Sequence, residues 1–267
     1  VDPDNAKRRR KNQRKTRHPS LKIMSILNVL PFYRGYRRKQ LARRPFPEHW
    51  GDILGAKFPF YNKFDPEERE CFHTHLKIFL WEKYWEGAGG LEITEEIQVT
   101  VSAAAARIAR HLPLFVYDRL TEIVVYPSHY QHPDDPDSII LGQAHHFGTI
   151  ILSWDAVKGG IHNPHDGRDT AIHELAHVLD VADGLFDGTP QLQQGSDYPE
   201  WTRVMGQHFA RLQDKPFRGV LRSYGAQNEA EFFAVATEHF FERPQHLKRR
   251  APDLYQVLAD YFRIDPK

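Results

Sequence analysis

The chain of 267 residues is nearly devoid of cysteine, and Cys71 is its single example. One thiol cannot build an intrachain disulfide framework, and it rules out a structural zinc site made mainly of thiolates. A reducing compartment fits, and the cytoplasm is the expected location. Long apolar runs are also missing. The best stretch near the start, Leu21 to Tyr33, is interrupted by Lys22 and Asn28, and it is too short to cross a hydrocarbon layer of ~30 Å at 1.5 Å per residue. The basic residues ahead of Ile23–Leu30 have the order of a secretory leader, but the apolar part is marginal in length and no small-residue cleavage site follows. No segment recurs at a fixed period, so solenoids and propellers are not expected.

Charge is abundant but unevenly placed. Residues 1–44 hold 15 of the 36 Lys and Arg against two acids, Asp2 and Asp4, which leaves 21 basic and 33 acidic residues, a net −12, in the remainder. Residues 1–44 therefore read as a basic N-terminal extension, with at least residues 1–20 disordered for want of apolar periodicity, and residues 45–267 read as one domain. The densest part, Lys7 to Arg17, contains no aromatic residue on which a base could stack. Nucleic acid is not an expected partner.

From Pro45 the pattern becomes globular. Asp65-Pro66-Glu67-Glu68 opens a helix, with Phe72, Leu76, Phe79 and Leu80 at helical spacing, and Thr94 starts another that runs to about His111. Glu122–Tyr126 and Thr149–Trp154 read as strands. Helices are predicted again over about 168–181, 200–212, 228–242 and 252–262, the third stopped by Pro244. This is an α+β protein, mainly helical, with a small mixed sheet.

The most informative segment is His173-Glu174-Leu175-Ala176-His177. On a helix, residues four apart differ in direction by only ~40°, so both imidazoles reach one ion. Glu174, beside the first of them, is placed to take a proton from an attacking water. Zinc suits such a site, since it accepts two imidazoles and a carboxylate and keeps a position open. Asp169-Thr170 supplies the helix start, and Ile172, Leu175, Ala176, Val178 and Leu179 bury the rest of the helix.

The third ligand has two candidate sources. Asp183 stands where one class of zinc peptidases has a third histidine, but Asp180 occupies the place of that class's turn glycine. The alternative is a glutamate on a later helix. Glu231 falls in the first turn of the helix starting near Asn228, with Glu229 and Glu238 as rivals. Asn228 and Glu231 are also at capping-box spacing, which gives Glu231 a purely structural reading.

These residues resemble the Mlc titration factor A family of zinc metallopeptidases, which is gluzincin-like. The likeness runs from about Pro113 through Ile123–Pro127, Thr149–Trp154, TAIHELAHVLD (170–180) and YGAQNEAEFFAVATEHFF (224–241) to YFRIDP (261–266). The spacing of Tyr224 and Glu231 is also similar to that in the catalytic domain of anthrax lethal factor. The resemblance implies a zincin-like fold whose active-site helix carries HExxH and a single zinc held by His173, His177 and Glu231. It further implies that Glu174 is the base and that Tyr224 faces the reacting carbonyl. Asp180 would orient a ligand imidazole, and the segment Thr149–Trp154 resembles the sheet edge that aligns an extended substrate. The implied activity is peptidase, aminopeptidase-like on short peptides. The alternative function is regulatory, the sequestration of a transcriptional repressor with the zinc site secondary.

Overall fold

A computed structural model describes residues 31–132, 135–140, 142–145, 148–216 and 219–266. The expectation of disorder over residues 1–20 lies outside the described residues. The chain divides into a unit ending at Pro45 and a unit starting at Phe46. In the first, Pro31–Arg43 forms helix α1, which the hydropathy pattern did not announce. Its Arg, Lys, Gln and Leu are good helix formers, Pro31 takes a first-turn position where no N–H is needed, and Arg43 complements the C-terminal end.

The second unit opens with α2 (Glu48–Lys57) and α3 (Pro66–Glu82). Asp65 caps α3 by accepting from the Glu68 N–H at 2.8 Å, and Glu68 returns a bond to the Asp65 N–H. That reciprocal cap fixes the register that buries Phe72, Leu76, Phe79 and Leu80. Strand β1 (Tyr84–Gly87) is followed by α4 (Glu95–Ala109), which Thr94 caps. Strands β2 (Glu122–Tyr126), β3 (Tyr130–His132), β4 (Asp135–Ile140), β5 (Gly142–His145) and β6 (Thr149–Ser153) come next. The remaining helices are α5 (Trp154–His162), α6 (Thr170–Asp180), α7 (Tyr198–Asp214), α8 (Glu229–Glu242), α9 (Pro244–Arg250) and α10 (Pro252–Phe262).

The main sheet has the order β1-β2-β6-β5, with the first three strands parallel and β5 antiparallel to β6. Strands β3 and β4 form a separate antiparallel pair. Residues 149–153 are therefore interior, hydrogen-bonded on both sides, and the expectation that they form a sheet edge is corrected. The edges are β1 and β5, and the Gly-Gln-Ala-His sequence of β5 contains no β-branched residue and gave no strand signal.

Two apolar clusters meet at α4. Val101, Ala104, Ala105 and Ile108 join the strands, α6, α8 and α10, while Val99, Ala103 and Ala106 join Trp50, Leu54, Phe72 and Leu76. The alanine run lets layers on both sides of α4 approach closely, which a helix of larger side chains would prevent. Among the described residues, no helix is long and apolar enough to cross a membrane.

Candidate metal centre

Helix α6 starts where Asp169 accepts from the Ile172 N–H at 3.0 Å, and every residue from Ala171 to Asp180 is buried. Its His173 and His177 project together, with Nε2 atoms 3.2 Å apart. Helix α8 is buried nearly all round and starts at Asn228, whose Oδ1 accepts from the Glu231 N–H at 2.8 Å. Capping is thus done by Asn228. The Glu231 carboxylate is left for another task, with Oε2 at 3.0 Å from His173 Nε2 and 3.5 Å from His177 Nε2.

These separations suit a metal ion. Ligand atoms placed tetrahedrally at about 2.0–2.1 Å from zinc stand roughly 3.3 Å from one another. Glu231 Oε2 is buried without a well-directed hydrogen bond, so its proximity to the imidazoles is that of charges gathered around a point. Among the described residues, His173, His177 and Glu231 are the three whose ligand atoms converge in this way. Burial lowers the His173 pKa, but the carboxylates of Glu231 and Glu238 outweigh it and take it up to about 10. Burial raises Glu231, and the two imidazoles more than offset this, bringing it to about 2. Such a pocket favours positive charge at its centre.

Glu238 lies seven residues after Glu231 and Glu242 eleven after, so all three project from α8 within about 20° of one line. Glu238 Oε1 is 2.8 Å from His173 Nδ1 and is paired with the Arg222 guanidinium, while its Oε2 accepts from the Asp169 N–H at 2.7 Å. The Nδ1–H of His173 thus has an acceptor behind it, and Nε2 is the nitrogen that turns toward Glu231 and would be the one to take a metal ion. Glu242 Oε2 accepts from the Gly167 and Arg168 N–H groups, each at 2.9 Å. One face of α8 thus supplies the converging carboxylate, the support for an imidazole, and the fastening of the loop that begins α6.

Glu174 is buried and lies against β5, where a Cβ added to Gly142 would come within 2.6 Å of Glu174 Cγ. Only glycine leaves that carboxylate its room. Tyr224 sits in the 3₁₀ turn Ser223–Ala226, its ring 5.8 Å from that of His173 and 43% exposed. Burial, then Glu231 and Glu174, push its phenol up to about 12, so it remains a proton donor. The Phe186 ring stands 5.1 Å from that of His177, and with the exposed Leu185 it gives the site an apolar flank.

Other expected roles fall differently. Asp183 is exposed, and its Oδ1 accepts from the Leu185 N–H at 2.9 Å, turning the chain beyond α6 instead of joining the histidines. The turn does use a left-handed glycine, Gly184 at φ 102°. Asp180 is fully buried, yet its Oδ2 accepts from the Gly188 N–H at 3.0 Å and no hydrogen bond joins it to either imidazole among the described residues. Burial raises its carboxyl to about 6. Oδ2 fastens the loop after α6, and the nearby His177 acts on the carboxyl in the opposite sense to burial. Glu229 is exposed and outside the cluster. The support given by Glu238 and Arg222, and the gap left by Gly142, were not read from the sequence. The seven-residue interval from Glu231 to Glu238 was the available signal for the first.

Paired histidines on one helix and a glutamate from a second, on an α+β scaffold, are the arrangement of metallopeptidases. Residues 33–263 match the family described as glucose-regulated metallo-peptidase M90, and the chain belongs to that family. It is 34% identical over 260 residues to an uncharacterized protein of Synechocystis, covering 92% of this chain and 94% of that one. It is also 28% identical over 218 residues to Mlc titration factor A of Yersinia pestis and of Yersinia pseudotuberculosis, covering 76% of this chain and 79% of each relative.

Proposed function

We propose that the protein is a zinc-dependent peptidase, aminopeptidase-like on short peptides, with zinc held by His173, His177 and Glu231. The observation that carries this reading is the convergence of those three ligand atoms beside Glu174. The ion, when bound, supplies Lewis acidity, polarising the scissile carbonyl and making water acidic enough to lose a proton near neutral pH. Glu174 accepts that proton on its carboxylate and passes it to the leaving amine as the C–N bond breaks. Tyr224 donates a hydrogen bond from its phenol to the carbonyl oxygen as negative charge gathers there. Glu238 keeps the His173 ring in one tautomer and orientation throughout. Edge strand β5 offers backbone groups to an extended peptide, and Leu185 with Phe186 offers an apolar surface to its side chains.

A second reading rests on the name of the Yersinia relatives, Mlc titration factor A, and makes the protein a regulator that sequesters a transcriptional repressor. A retained base argues for turnover, because a purely structural zinc site is closed by four protein ligands and needs none. The lone cysteine suits a cytoplasmic setting. The deciding experiment is metal analysis of the purified protein with cleavage of a mixed peptide library, with and without chelator. About one zinc per chain and chelator-sensitive cleavage are expected. Cleavage by metal-free protein, or none by the zinc-loaded protein, would refute the reading.

A further inference from the structure

A cavity of about 390 Å³ opens between the end of α8, the start of α9, α5 and the turn after α2. It lies at the far end of α8 from Glu231, and its lining includes Lys57, Lys63, Arg107 and Arg243 together with Phe60 and Phe241. Arg107 is the unusual member. Its guanidinium packs over the Phe60 ring at 4.3 Å and the Phe241 ring at 5.5 Å, and it donates one hydrogen bond, at 2.6 Å, to the Phe241 carbonyl. A guanidinium has five N–H donors, and a buried one is ordinarily matched by an anion. Among the described residues Arg107, Lys63 and Arg243 form no ion pair, whereas Lys57 pairs with Glu96 at 2.8 Å.

The two acids in the wall, Asp169 and Glu242, act on the Arg107 guanidinium and offset part of the positive charge, while Lys63 and Arg243 add to it. Asp169 is engaged as the cap of α6, and Glu242 Oε2 is engaged with two backbone N–H groups. Burial, reinforced by Asp169, raises the Glu242 carboxyl to about 8. His246 adds a buried Nδ1 without a hydrogen-bond partner. A concave, partly apolar space of this size with a few convergent polar groups has the form of a small-molecule site.

We infer that this cavity binds a small organic anion, with a carboxylate or phosphate head on Arg107, Lys63 and Arg243 and a ring or aliphatic body against Phe60 and Phe241. Guanidinium and ammonium groups take either head, and the aromatic walls require the body. The cavity stands apart from the proposed metal ligands, so the inference does not rest on the peptidase reading.

The test is calorimetric titration of the full chain with phenyl phosphate, phenylacetate and the uncharged control benzyl alcohol. At least one anion is expected to bind, one per chain, and benzyl alcohol not at all, and the tighter-binding anion identifies the preferred head group. Arg107→Gln should weaken binding roughly tenfold or more, and the exposed Lys63→Glu should weaken it several-fold. Should Arg107→Gln fail to fold, Lys63→Glu decides alone. No saturable binding of either anion up to ~10 mM, or binding unchanged in the folded variants, would overturn the inference.

Discussion

His173 Nδ1 lies 2.8 Å from Glu238 Oε1, so the imidazole on α6 is held from behind by the same helix that sends Glu231 to its front. Replacing Glu238 with glutamine keeps the size and one acceptor but removes the negative charge and the pairing with Arg222. Glu238→Gln should weaken zinc binding roughly 10–100-fold while the chain stays folded. Competition against a chromophoric chelator measures this directly, and unchanged affinity would show that Glu238 only fastens Asp169.

The choice of third ligand separates Glu231 from Asp183. Glu231→Ala should lose both bound zinc and activity, whereas Asp183→Ala should keep the metal, since the Asp183 carboxylate serves the Leu185 N–H. Metal content after dialysis checks both. Zinc retained at wild-type affinity in Glu231→Ala would remove the assignment, because the capping here belongs to Asn228.

Chemistry and binding should come apart at Glu174 and Tyr224. Glu174→Gln cannot accept a proton, so zinc should remain while kcat falls by about 10²–10⁴. Tyr224→Phe should depress kcat more than it raises KM, because the phenol bond matters chiefly as the oxyanion forms. Steady-state kinetics beside metal analysis tests the pair, and an unchanged kcat in either variant would remove that residue from the mechanism.

Gly142→Ala tests the site without replacing a charged residue. The new methyl must displace the Glu174 side chain, since its Cβ would stand within 2.6 Å of Glu174 Cγ. Zinc binding should persist and turnover should fall. Full activity in this variant would mean that Glu174 acts from another position.

A pH effect should appear at Glu242. Its carboxyl is raised to about 8 in the folded chain from an ordinary value of 4.5. The stability it contributes is therefore fully present below pH ~4.5 and is lost as pH rises through ~8. Glu242→Gln keeps an acceptor for Gly167 and Arg168 but cannot ionise. Denaturant titrations should show the variant gaining on the parent between these pH values, with no further change above them. A constant difference across that range would contradict the raised value.

Much of this architecture was legible because local signals agreed with tertiary demands. The Asp65 cap, the Thr94 start, the bounds Pro252 and Phe262 and the strand Glu122–Tyr126 all join a strong pattern to a clear stop or start. The pairing of His173 with His177 followed from helix geometry alone. Strands β1 and β5 were not legible, because Tyr84–Gly87 and Gly142–His145 are strands by virtue of their neighbours. The fastening role of Asp180 was hidden for a related reason. Its Oδ2 accepts from the Gly188 N–H, a partner eight residues away that no local pattern announces. Arg222 and Gly142 act across long sequence separations, which spacing along one helix does not reveal.

The three glutamates aligned on α8 bear on how this region assembles. A helix buried on nearly every side cannot enter the interior with carboxylates on one face unless their partners arrive with it. Apart from the Arg222 guanidinium, those partners are the His173 and His177 rings and the Gly167, Arg168 and Asp169 amides, all on α6 or just before it. Neither helix has a low-energy buried state without the other. The two must therefore form and melt as a single cooperative unit, so the centre opens by unfolding its own core and not by fraying at an edge.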